Sequence, residues 1–398
     1  MRSYRYVIVG GGMAAAAAVE GIRRHDRDHP IALLTADRFP PYARPPLSKG
    51  LWKGERLESI WRYGDPAALG VDEYLGTRAV RVDRSARLVE DQFGRRFGYT
   101  QLLLATGGAP RRLPGDPPGV IYFRTLDDYL TLERAVAGPP RRVLVVGGGF
   151  IGAEVAAALH LRGQAVTMIV PEAGLLARIL PEDLARAVAD DYRRRGVTVL
   201  CNETLARLDG NPATGYTAVT AGGQHLAADL VVAGLGIRPE TALAEAAGLA
   251  VDDGITVDSR GRTADPAVWA AGDVARFSAP ELDTTLRVEH EDNAVAGGRV
   301  AGENMAGGDV PLETLPLFYS DLFDNGFEAV GRVDATLRTE ADWIEPYRQG
   351  VVYYVDGGRV VGVLNWNVWD SVPQARHLIR ERTDATDPHQ LIGRIRPA

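Results

Sequence analysis

The sequence YVIVGGGMAA at residues 6–15 decides the fold, and VLVVGGGFIG at residues 143–152 repeats its design. In each stretch a short apolar run, typical of a buried strand, leads through a glycine-rich turn into an alanine-rich helix. In the pattern G-x-G-x-x-G/A, the first glycine makes the tight turn and the second lets backbone approach a pyrophosphate. The third small residue lets the helix pack on the strand. The helix N-terminus then offers free N–H groups and a positive dipole end to phosphates. We therefore predict two dinucleotide-binding units.

Two bound dinucleotides suggest a relay in which a nicotinamide gives hydride to a flavin. The only cysteine of these 398 residues is Cys201, which we interpret as a small core residue. One cysteine excludes an intramolecular disulfide and a C-x-x-C relay, so electrons would leave the flavin directly for an outside acceptor. No histidine–cysteine cluster of the zinc type occurs, and we expect no bound metal.

Length and charge narrow the class of protein further. A chain of 398 residues suits two or three domains. The net charge of −7 argues against nucleic acid as a partner. No apolar run approaches the ~20 residues that a membrane helix needs. The N-terminus enters a strand at once, which leaves no room for a signal peptide. We expect a cytoplasmic monomer or homodimer without a membrane span.

The expected fold class is α/β, with two Rossmann-like dinucleotide-binding domains, for FAD and NAD, and a small C-terminal α+β domain. Residues 1–111 and 239–313 would form the FAD-binding domain, and residues 112–238 the inserted NAD(H)-binding domain. In the remaining domain, 314–398, the run VVYYVDGGRVVGV at 351–363 predicts a hairpin with an Asp-Gly-Gly turn. A helix near residues 372–382 should follow.

The scarcity of lysine makes one lysine informative. Only two of the 45 basic residues are lysines, Lys49 and Lys53. Lys49 ends the run RPPLSK at residues 44–49. Because almost every other basic residue of the chain is an arginine, a lysine at this position is unusual. An ammonium is a compact point charge, which a guanidinium is not. We predict a functional role for Lys49 and a chance surface position for Lys53.

The motifs occur in an order that resembles a known family. The order is Gly10-x-Gly12-x-x-Ala15, the loop from Arg44 to Lys49, Ala105-Thr106-Gly107, Gly147-x-Gly149-x-x-Gly152 and Ala271-Gly272-Asp273. The chain is similar to the FAD-dependent pyridine nucleotide oxidoreductases of the glutathione-reductase fold. Within them it resembles oxygenase-type ferredoxin reductases and apoptosis-inducing factor. The second likeness depends on VEHEDNA at 288–294, AGENM at 301–305 and FYSDL at 318–322.

The resemblance implies two sets of cofactor-binding residues. Those expected at FAD are Gly10, Gly12, Ala15, Asp37, Arg44, Lys49, Val80, Ala105, Thr106, Gly107, Arg111, Gly272, Asp273, Glu289, His290 and Tyr319. Those expected at NAD are Gly147, Gly149, Phe150, Ile151, Gly152, Glu172 and Gly236.

Lys49 and Glu154 are the catalytic residues that the resemblance implies. In the family the matching lysine approaches flavin N5 and pairs with a glutamate just after the second glycine turn, where Glu154 stands. Because N5 accepts the hydride, a nearby cation would stabilise the anionic reduced flavin. The alternative for Glu154 is an acid near a helix start that only complements the helix dipole.

Ribose recognition needs an acid about 20 residues after each set of glycines. For FAD the family's usual position falls on Ala36, and the neighbouring Asp37 could substitute through a shifted turn. For NAD the matching acid is Glu172, which would accept the 2′-hydroxyl of NADH and repel the 2′-phosphate of NADPH. Arg178 is close enough in sequence to serve a phosphate instead. We predict NADH, with NADPH as the less favoured coenzyme.

The remaining assignments each have a structural alternative. Asp273 would accept a ribityl hydroxyl at a helix N-terminus or simply cap that helix. Phe150 would shield the nicotinamide pocket or only pack, and His290, beside Glu289, would stack on the flavin or only bond within a loop. Tyr319 stands where the family usually has tryptophan. For Arg44 and Arg111, a surface position is the alternative to pyrophosphate or adenine binding.

The predicted function is an FAD-dependent NADH oxidoreductase whose leading electron acceptor is a small ferredoxin-type iron–sulfur protein. One alternative is an NADH oxidase or a quinone or small-molecule reductase. Another is a redox-sensing, NADH-binding flavoprotein with slow turnover, like apoptosis-inducing factor. We also predict that Trp366 and Trp369 wall the side from which electrons leave, although both could be core residues.

Overall fold

The computed structural model describes residues 2–313 and 315–396. The chain forms two compact units, and both are assembled from separate segments. The first comprises Met1–Arg44, Arg56–Ala109 and Arg238–Leu317. The second comprises Pro45–Glu55, Pro110–Ile237 and Phe318–Ala398. The short segment that carries Lys49 therefore belongs to the second unit.

Seven α-helices lie within the described residues: α1 Met13–His25, α2 Leu126–Ala135, α3 Phe150–Leu161, α4 Glu182–Arg195, α5 Ala242–Ala246, α6 Glu291–Met305 and α7 Val372–Arg380. The described strands are β1 Arg2–Val9, β2 Ile31–Leu34, β3 Val71–Tyr74, β4 Ala79–Asp83, β5 Leu88–Asp91, β6 Arg96–Leu104, β7 Gly108–Pro110, β8 Arg142–Val146, β9 Ala165–Val170, β10 Thr198–Cys201, β11 Leu205–Asn211, β12 Gly215–Thr220, β13 His225–Ala228, β14 Leu230–Ala233, β15 Ile237–Pro239, β16 Ile255–Thr256, β17 Val268–Ala270, β18 Ala275–Ala279, β19 Thr284–Arg287, β20 Leu317–Leu322, β21 Asn325–Gly331, β22 Arg338–Glu345, β23 Gln349–Asp356 and β24 Arg359–Trp366.

The main sheet of the first unit has the order β3-β2-β1-β6-β5-β4, with β17 also paired to β6. Strands β1, β2, β6 and β17 run parallel, and Val9 is in register with both Leu34 and Leu104. Leu104 is in turn in register with Ala270. Because the carboxyl ends of parallel strands meet at one edge, the loops that follow all four strands converge there.

Helix α6 packs against α1 at very close range because of two glycines one turn apart. A Cβ atom at Gly298 would lie 2.2 Å from the carbonyl oxygen of Ala14. A Cβ atom at Gly302 would lie 2.2 Å from the carbonyl oxygen of Ala18. No larger side chain fits at either position without separating the helices. The start of α1, directly after the first glycine turn, is thereby held in place.

The second unit contains the parallel sheet β10-β9-β8-β14 and the antiparallel sheet β11-β12-β13. Val146, the last residue of β8, is in register with Ile169 on one side and Ala233 on the other. The buried positions of β8, β9 and β14 are all apolar, as expected for parallel strands covered on both faces.

A five-stranded antiparallel sheet of order β20-β21-β24-β23-β22 completes the second unit. Strands β23 and β24 form the predicted hairpin, with Gly357 and Gly358 at positive φ in its turn. Helix α7 buries Ala375, Leu378 and Ile379, and it ends at Arg380 rather than at 382. The predicted fold class, α/β with a small C-terminal α+β part, is confirmed.

Candidate functional site

The first glycine turn is shaped for a phosphate group. Gly10 has φ +124°, and a Cβ atom there would lie 2.0 Å from the carbonyl oxygen of Ala105. A Cβ atom at Gly12 would meet nothing within 4 Å, so space remains beside the turn. Helix α1 starts at Met13 with no side-chain cap and no acidic residue in its first turn. Its first N–H groups and dipole therefore face that space without competition from a carboxylate, which suits a pyrophosphate.

Two further loops at the same sheet edge carry predicted FAD residues. After β6, the Thr106 hydroxyl donates to the carbonyl of Glu240 over 2.8 Å, and Gly107 has φ +65°. After β17, Gly272 has φ +77°, and a Cβ atom there would lie 3.0 Å from the Cβ of Ala14. The tertiary structure thus places Gly272 against the start of α1, beside the first glycine turn.

The sequence pattern placed Asp273 at the N-terminus of a helix. In the structure, Asp273 does not begin an α-helix. Residues Gly272–Val274 form a single 3-10 turn that leads directly into β18. The dipole contribution expected of a helix N-terminus is correspondingly small, because it requires several aligned peptide groups. The half-buried position of Asp273 at the sheet edge still places its carboxylate next to Gly272.

Asp37 lies just after β2, and its carboxylate already has partners. It accepts from the Tyr42 hydroxyl over 2.8 Å and from the Phe39 amide over 3.2 Å. These bonds order the proline-rich loop that leads to Arg44, whose guanidinium lies 5.6 Å from the Tyr42 ring centre. A carboxylate can accept further bonds, so a ribose contact at Asp37 stays a prediction.

The other predicted FAD residues are distributed over both units. Ala15 is fully buried in α1, and Val80 lies half-exposed on the edge strand β4. Glu289 accepts from Arg287 over 2.6 Å, and His290 is the N-cap residue of α6. Arg111 belongs to the second unit, where its amide donates to the carbonyl of Gly236, a residue predicted for NAD.

The second glycine turn has the same construction as the first. Gly147 has φ +107°, and a Cβ atom at Gly152 would lie 2.1 Å from the carbonyl oxygen of Gly147. Gly149 has open space beside it, and α3 begins at Phe150 with no side-chain cap and no acid in its first turn. Ile151, in the same first turn, is partly buried. This helix start therefore also suits a phosphate.

Glu172 lies beyond β9, in the turn after Pro171. Its carboxylate is 3.8 Å from the Arg178 guanidinium. Both side chains reach solvent, with exposed fractions of 35% for Glu172 and 86% for Arg178. The structure therefore brings together the acid that would favour NADH and the arginine that could serve a phosphate.

Lys49 and Glu154 form a buried ion pair. The Lys49 ammonium lies 2.8 Å from Oε1 of Glu154, and the exposed fractions of the two side chains are 13% and 2%. Glu154 projects from the second turn of α3. The loop that carries Lys49 is fixed by 3-10 turns and by Trp52, whose indole N–H donates to the carbonyl of Leu47. Removing one partner of such a pair leaves an uncompensated buried charge.

Two serines complete the hydrogen bonding of Glu154. The Ser48 hydroxyl donates to Oε2 over 2.6 Å, and the Ser320 hydroxyl donates to Oε1 over 2.7 Å. Both serines are buried. Sequence reasoning missed them, although Ser48 precedes Lys49 and Ser320 lies within FYSDL. A serine carries no signal of its own until its neighbours in space are known.

Aromatic side chains lie beside Lys49 and at the start of α3. The Lys49 ammonium lies 5.3 Å from the ring centre of Tyr319, a residue that is partly exposed. The Phe150 ring lies 5.9 Å from Phe318 and 6.0 Å from Phe327. Phe150 therefore packs against the C-terminal sheet, which leaves the shielding role as a prediction.

The two tryptophans predicted at the electron exit differ in exposure. Trp366 is 1% exposed, stacks on Phe327 and donates its indole N–H to the carbonyl of Tyr347. It is a core residue, so its predicted exit role is wrong. Trp369 is 47% exposed and lies over Gly326, where a Cβ atom would be 2.7 Å from its ring. Of the two tryptophans, only Trp369 has a surface that an acceptor could contact.

Two histidines in the described part of the chain have a spacing that metal sites use. His25 and His29 have the H-x-x-x-H spacing, but His29 bonds to Asp26 over 2.8 Å and His25 faces Glu303. Residues 2–313 and 315–396 contain no cluster of three or more His, Cys, Asp or Glu side chains arranged for a metal ion. Over the same residues, no helix has the length and hydropathy needed to cross a membrane.

Comparison with known proteins covers nearly the whole chain. The family model described as pyridine nucleotide-disulphide oxidoreductase matches residues 4–298. The model of the C-terminal part of mitochondrion-associated apoptosis-inducing factor matches residues 340–381.

Individual relatives align with this chain over most of their own length. The ferredoxin–NAD(+) reductase component of the anthranilate 1,2-dioxygenase system of Burkholderia cepacia is 37% identical, over 97% of this chain and 96% of the relative. Mitochondrial apoptosis-inducing factor 1 of Dictyostelium discoideum is 32% identical, over 98% of this chain and 81% of the relative. The putidaredoxin reductase of the covalent putidaredoxin reductase–putidaredoxin complex superposes with a TM-score of 0.89, at 30% identity over 96% of this chain and 94% of that chain.

Proposed function

The chain belongs to the pyridine nucleotide-disulphide oxidoreductase family, and we propose that it is an FAD-containing, NADH-dependent reductase of a small iron–sulfur protein. The observation that supports this best is the buried Lys49–Glu154 pair one turn beyond the second glycine turn. Two open helix N-termini, at α1 and α3, supply the phosphate sites for two dinucleotides.

When bound, FAD accepts a hydride from NADH and releases electrons to an acceptor. The residues after β1, β6 and β17 fit this group, because glycines at that edge leave room beside the start of α1. The Lys49 ammonium would supply positive charge where negative charge develops, and Glu154 with Ser48 and Ser320 would hold that ammonium in place. Glu172 would accept the 2′-hydroxyl of the coenzyme.

Two observations support the class of electron acceptor that we propose. The chain holds one cysteine, so a dithiol relay within these residues has no second thiol. The relatives named for ferredoxin and putidaredoxin reduction match over more than nine-tenths of this chain. An iron–sulfur protein that takes electrons directly from the flavin is therefore the acceptor class we propose.

The first test measures the FAD content of the protein and the rates of its two half-reactions, which are flavin reduction by NADH and flavin reoxidation by an acceptor. The purified protein should be yellow with about one FAD per chain, and NADH should reduce it in stopped flow. An iron–sulfur protein encoded nearby should then reoxidise it much faster than oxygen or a quinone does. A protein that takes up no FAD on reconstitution would refute the proposal.

A second candidate function has its own supporting observation. The match of residues 340–381 to the C-terminal model of apoptosis-inducing factor favours a slow, redox-sensing flavoprotein. The same stopped-flow experiment separates the two functions. Reoxidation that stays slow with every acceptor, together with a persistent charge-transfer band, would favour sensing over electron delivery.

A further inference from the structure

The segment 171–181 connects β9 to α4 and carries both charged groups that bear on coenzyme choice. Glu172 and Arg178 are 3.8 Å apart, and on the proposed function they face the adenosine ribose. The Arg178 side chain is almost fully exposed, so packing does not fix its guanidinium. The position of the backbone must therefore decide where these charges stand relative to a 2′-hydroxyl or a 2′-phosphate.

One side of this segment is bonded to the second glycine turn. The Leu176 amide donates to the carbonyl of Gly148 over 2.7 Å. Leu176 is buried and has φ +56°, a conformation that a leucine keeps only where the surroundings impose it. The Leu175 amide donates to the carbonyl of Ala185 at the start of α4. The segment is thus tied to the phosphate site at one end.

The other side of the segment is bonded to the C-terminal sheet. The Ala335 amide, between β21 and β22, donates to the carbonyl of Arg178 over 3.0 Å. The Tyr354 hydroxyl, on β23, donates to the carbonyl of Ile179 over 2.6 Å. Tyr354 is fully buried, and burial raises the pKa of its hydroxyl, which therefore remains a donor throughout the physiological range.

We propose that Tyr354 is a positioning residue for coenzyme selection, through which the C-terminal sheet sets the segment that carries Glu172 and Arg178. This inference rests on the proposed function. The hydroxyl reaches the segment one residue from Arg178, whose own side chain is 86% exposed. Without this bond the segment would retain its backbone ties to Gly148 and Ala335 but would be held less firmly next to Arg178, and Glu172 would oppose a 2′-phosphate less effectively.

The test compares two ligands that differ only at the 2′ position. ADP-ribose and 2′-phospho-ADP-ribose are titrated into the FAD-loaded full chain by calorimetry. The variants are Tyr354→Phe, which removes only the hydroxyl, and Tyr353→Phe as the matched control. Tyr353 is the adjacent buried tyrosine on β23, and its side chain points to the opposite face of the sheet.

The wild-type protein should prefer ADP-ribose, and Tyr354→Phe should lose about three- to tenfold of that preference, as expected for one neutral hydrogen bond. Tyr353→Phe should keep the preference. If the wild type has no preference, the NADH assignment of the proposed function fails and this inference fails with it. If the wild type prefers ADP-ribose and Tyr354→Phe retains the full ratio, only the role of Tyr354 is refuted.

A measurement on the wild type keeps the inference testable if Tyr354→Phe does not fold. ADP-ribose should slow deuterium exchange at the Ala335 amide, which bonds to the segment but lies in the C-terminal part of the chain. Peptides covering the Gly357–Gly358 turn of the same sheet should exchange at an unchanged rate. Equal protection of both peptides, or of neither, would overturn the proposed coupling.

Discussion

Replacing Lys49 with methionine should separate the electrostatic role of this residue from its part in stability. The ammonium is 2.8 Å from a carboxylate that is 2% exposed, so its removal leaves Glu154 charged and buried with only two serine donors. Breaking a buried pair from one side costs about 3–5 kcal/mol of unfolding free energy. Loss of a positive group where charge develops should slow flavin reduction by NADH about 10²–10³-fold.

A double-mutant cycle with Glu154→Gln gives the decisive comparison. Replacing both partners by neutral residues of similar size is often nearly neutral for stability. The double variant should therefore recover to within about 1 kcal/mol of the wild type in urea unfolding while its reduction rate stays low. Lys53→Met is the matched control, because Lys53 is 58% exposed and only 3.6 Å from the exposed Asp321.

The assay is stopped-flow reduction by NADH alongside urea unfolding of the FAD-loaded variants. Lys53→Met should leave both measurements near wild type. The reasoning would be refuted if Lys49→Met reduced at the wild-type rate. It would also be refuted if the double variant were as unstable as Lys49→Met alone, because the pair would then not account for the cost.

Three further outcomes are expected. Glu172→Gln should raise kcat/KM for NADPH about tenfold relative to NADH, because the charge opposing a 2′-phosphate is lost; an unchanged ratio of the two constants would contradict this. Trp366→Ala should cost about 3–5 kcal/mol in unfolding, whereas Trp369→Ala should spare stability and slow electron transfer to the iron–sulfur protein more than reduction by NADH. The hydrogen bond from Arg142 lowers the pKa of Asp229 to about 2, so its stabilising effect is present at neutral pH and is lost as the pH falls through about 4 to 2. In denaturant unfolding, Asp229→Asn should therefore cost about 1 kcal/mol at pH 7, after allowance for partial exposure, and progressively less as the pH falls to about 2 and below.

The sequence alone determined the features that depend only on residues close together along the chain. The turns at Gly10 and Gly147 could be predicted because positive φ, a preceding apolar strand and a following alanine-rich helix are local requirements. The hairpin of β23 and β24 was predictable for the same reason, since Gly357 and Gly358 permit its turn. The two strand–turn–helix units also predicted the α/β fold class, because such units imply parallel sheets.

The exposure of a side chain, and the type of element that follows a strand, could not be deduced in this way. Trp366 and Trp369 are three residues apart and alike in sequence, but one is covered by Phe327 and the other lies at the surface. Asp273 follows a buried strand, as a helix N-cap would, but the chain enters β18 after one 3-10 turn. Which outcome occurs depends on the elements packed around each residue.

The grouping around Glu154 was decided only by the tertiary structure. Lys49 and Ser48 come from a loop about a hundred residues before Glu154, and Ser320 comes from a strand well after it. Pairing of Lys49 with Glu154 could be expected from the family, but the two serines could not. A buried carboxylate must have its oxygens satisfied, and only the folded chain determines which hydroxyls are near enough to do so.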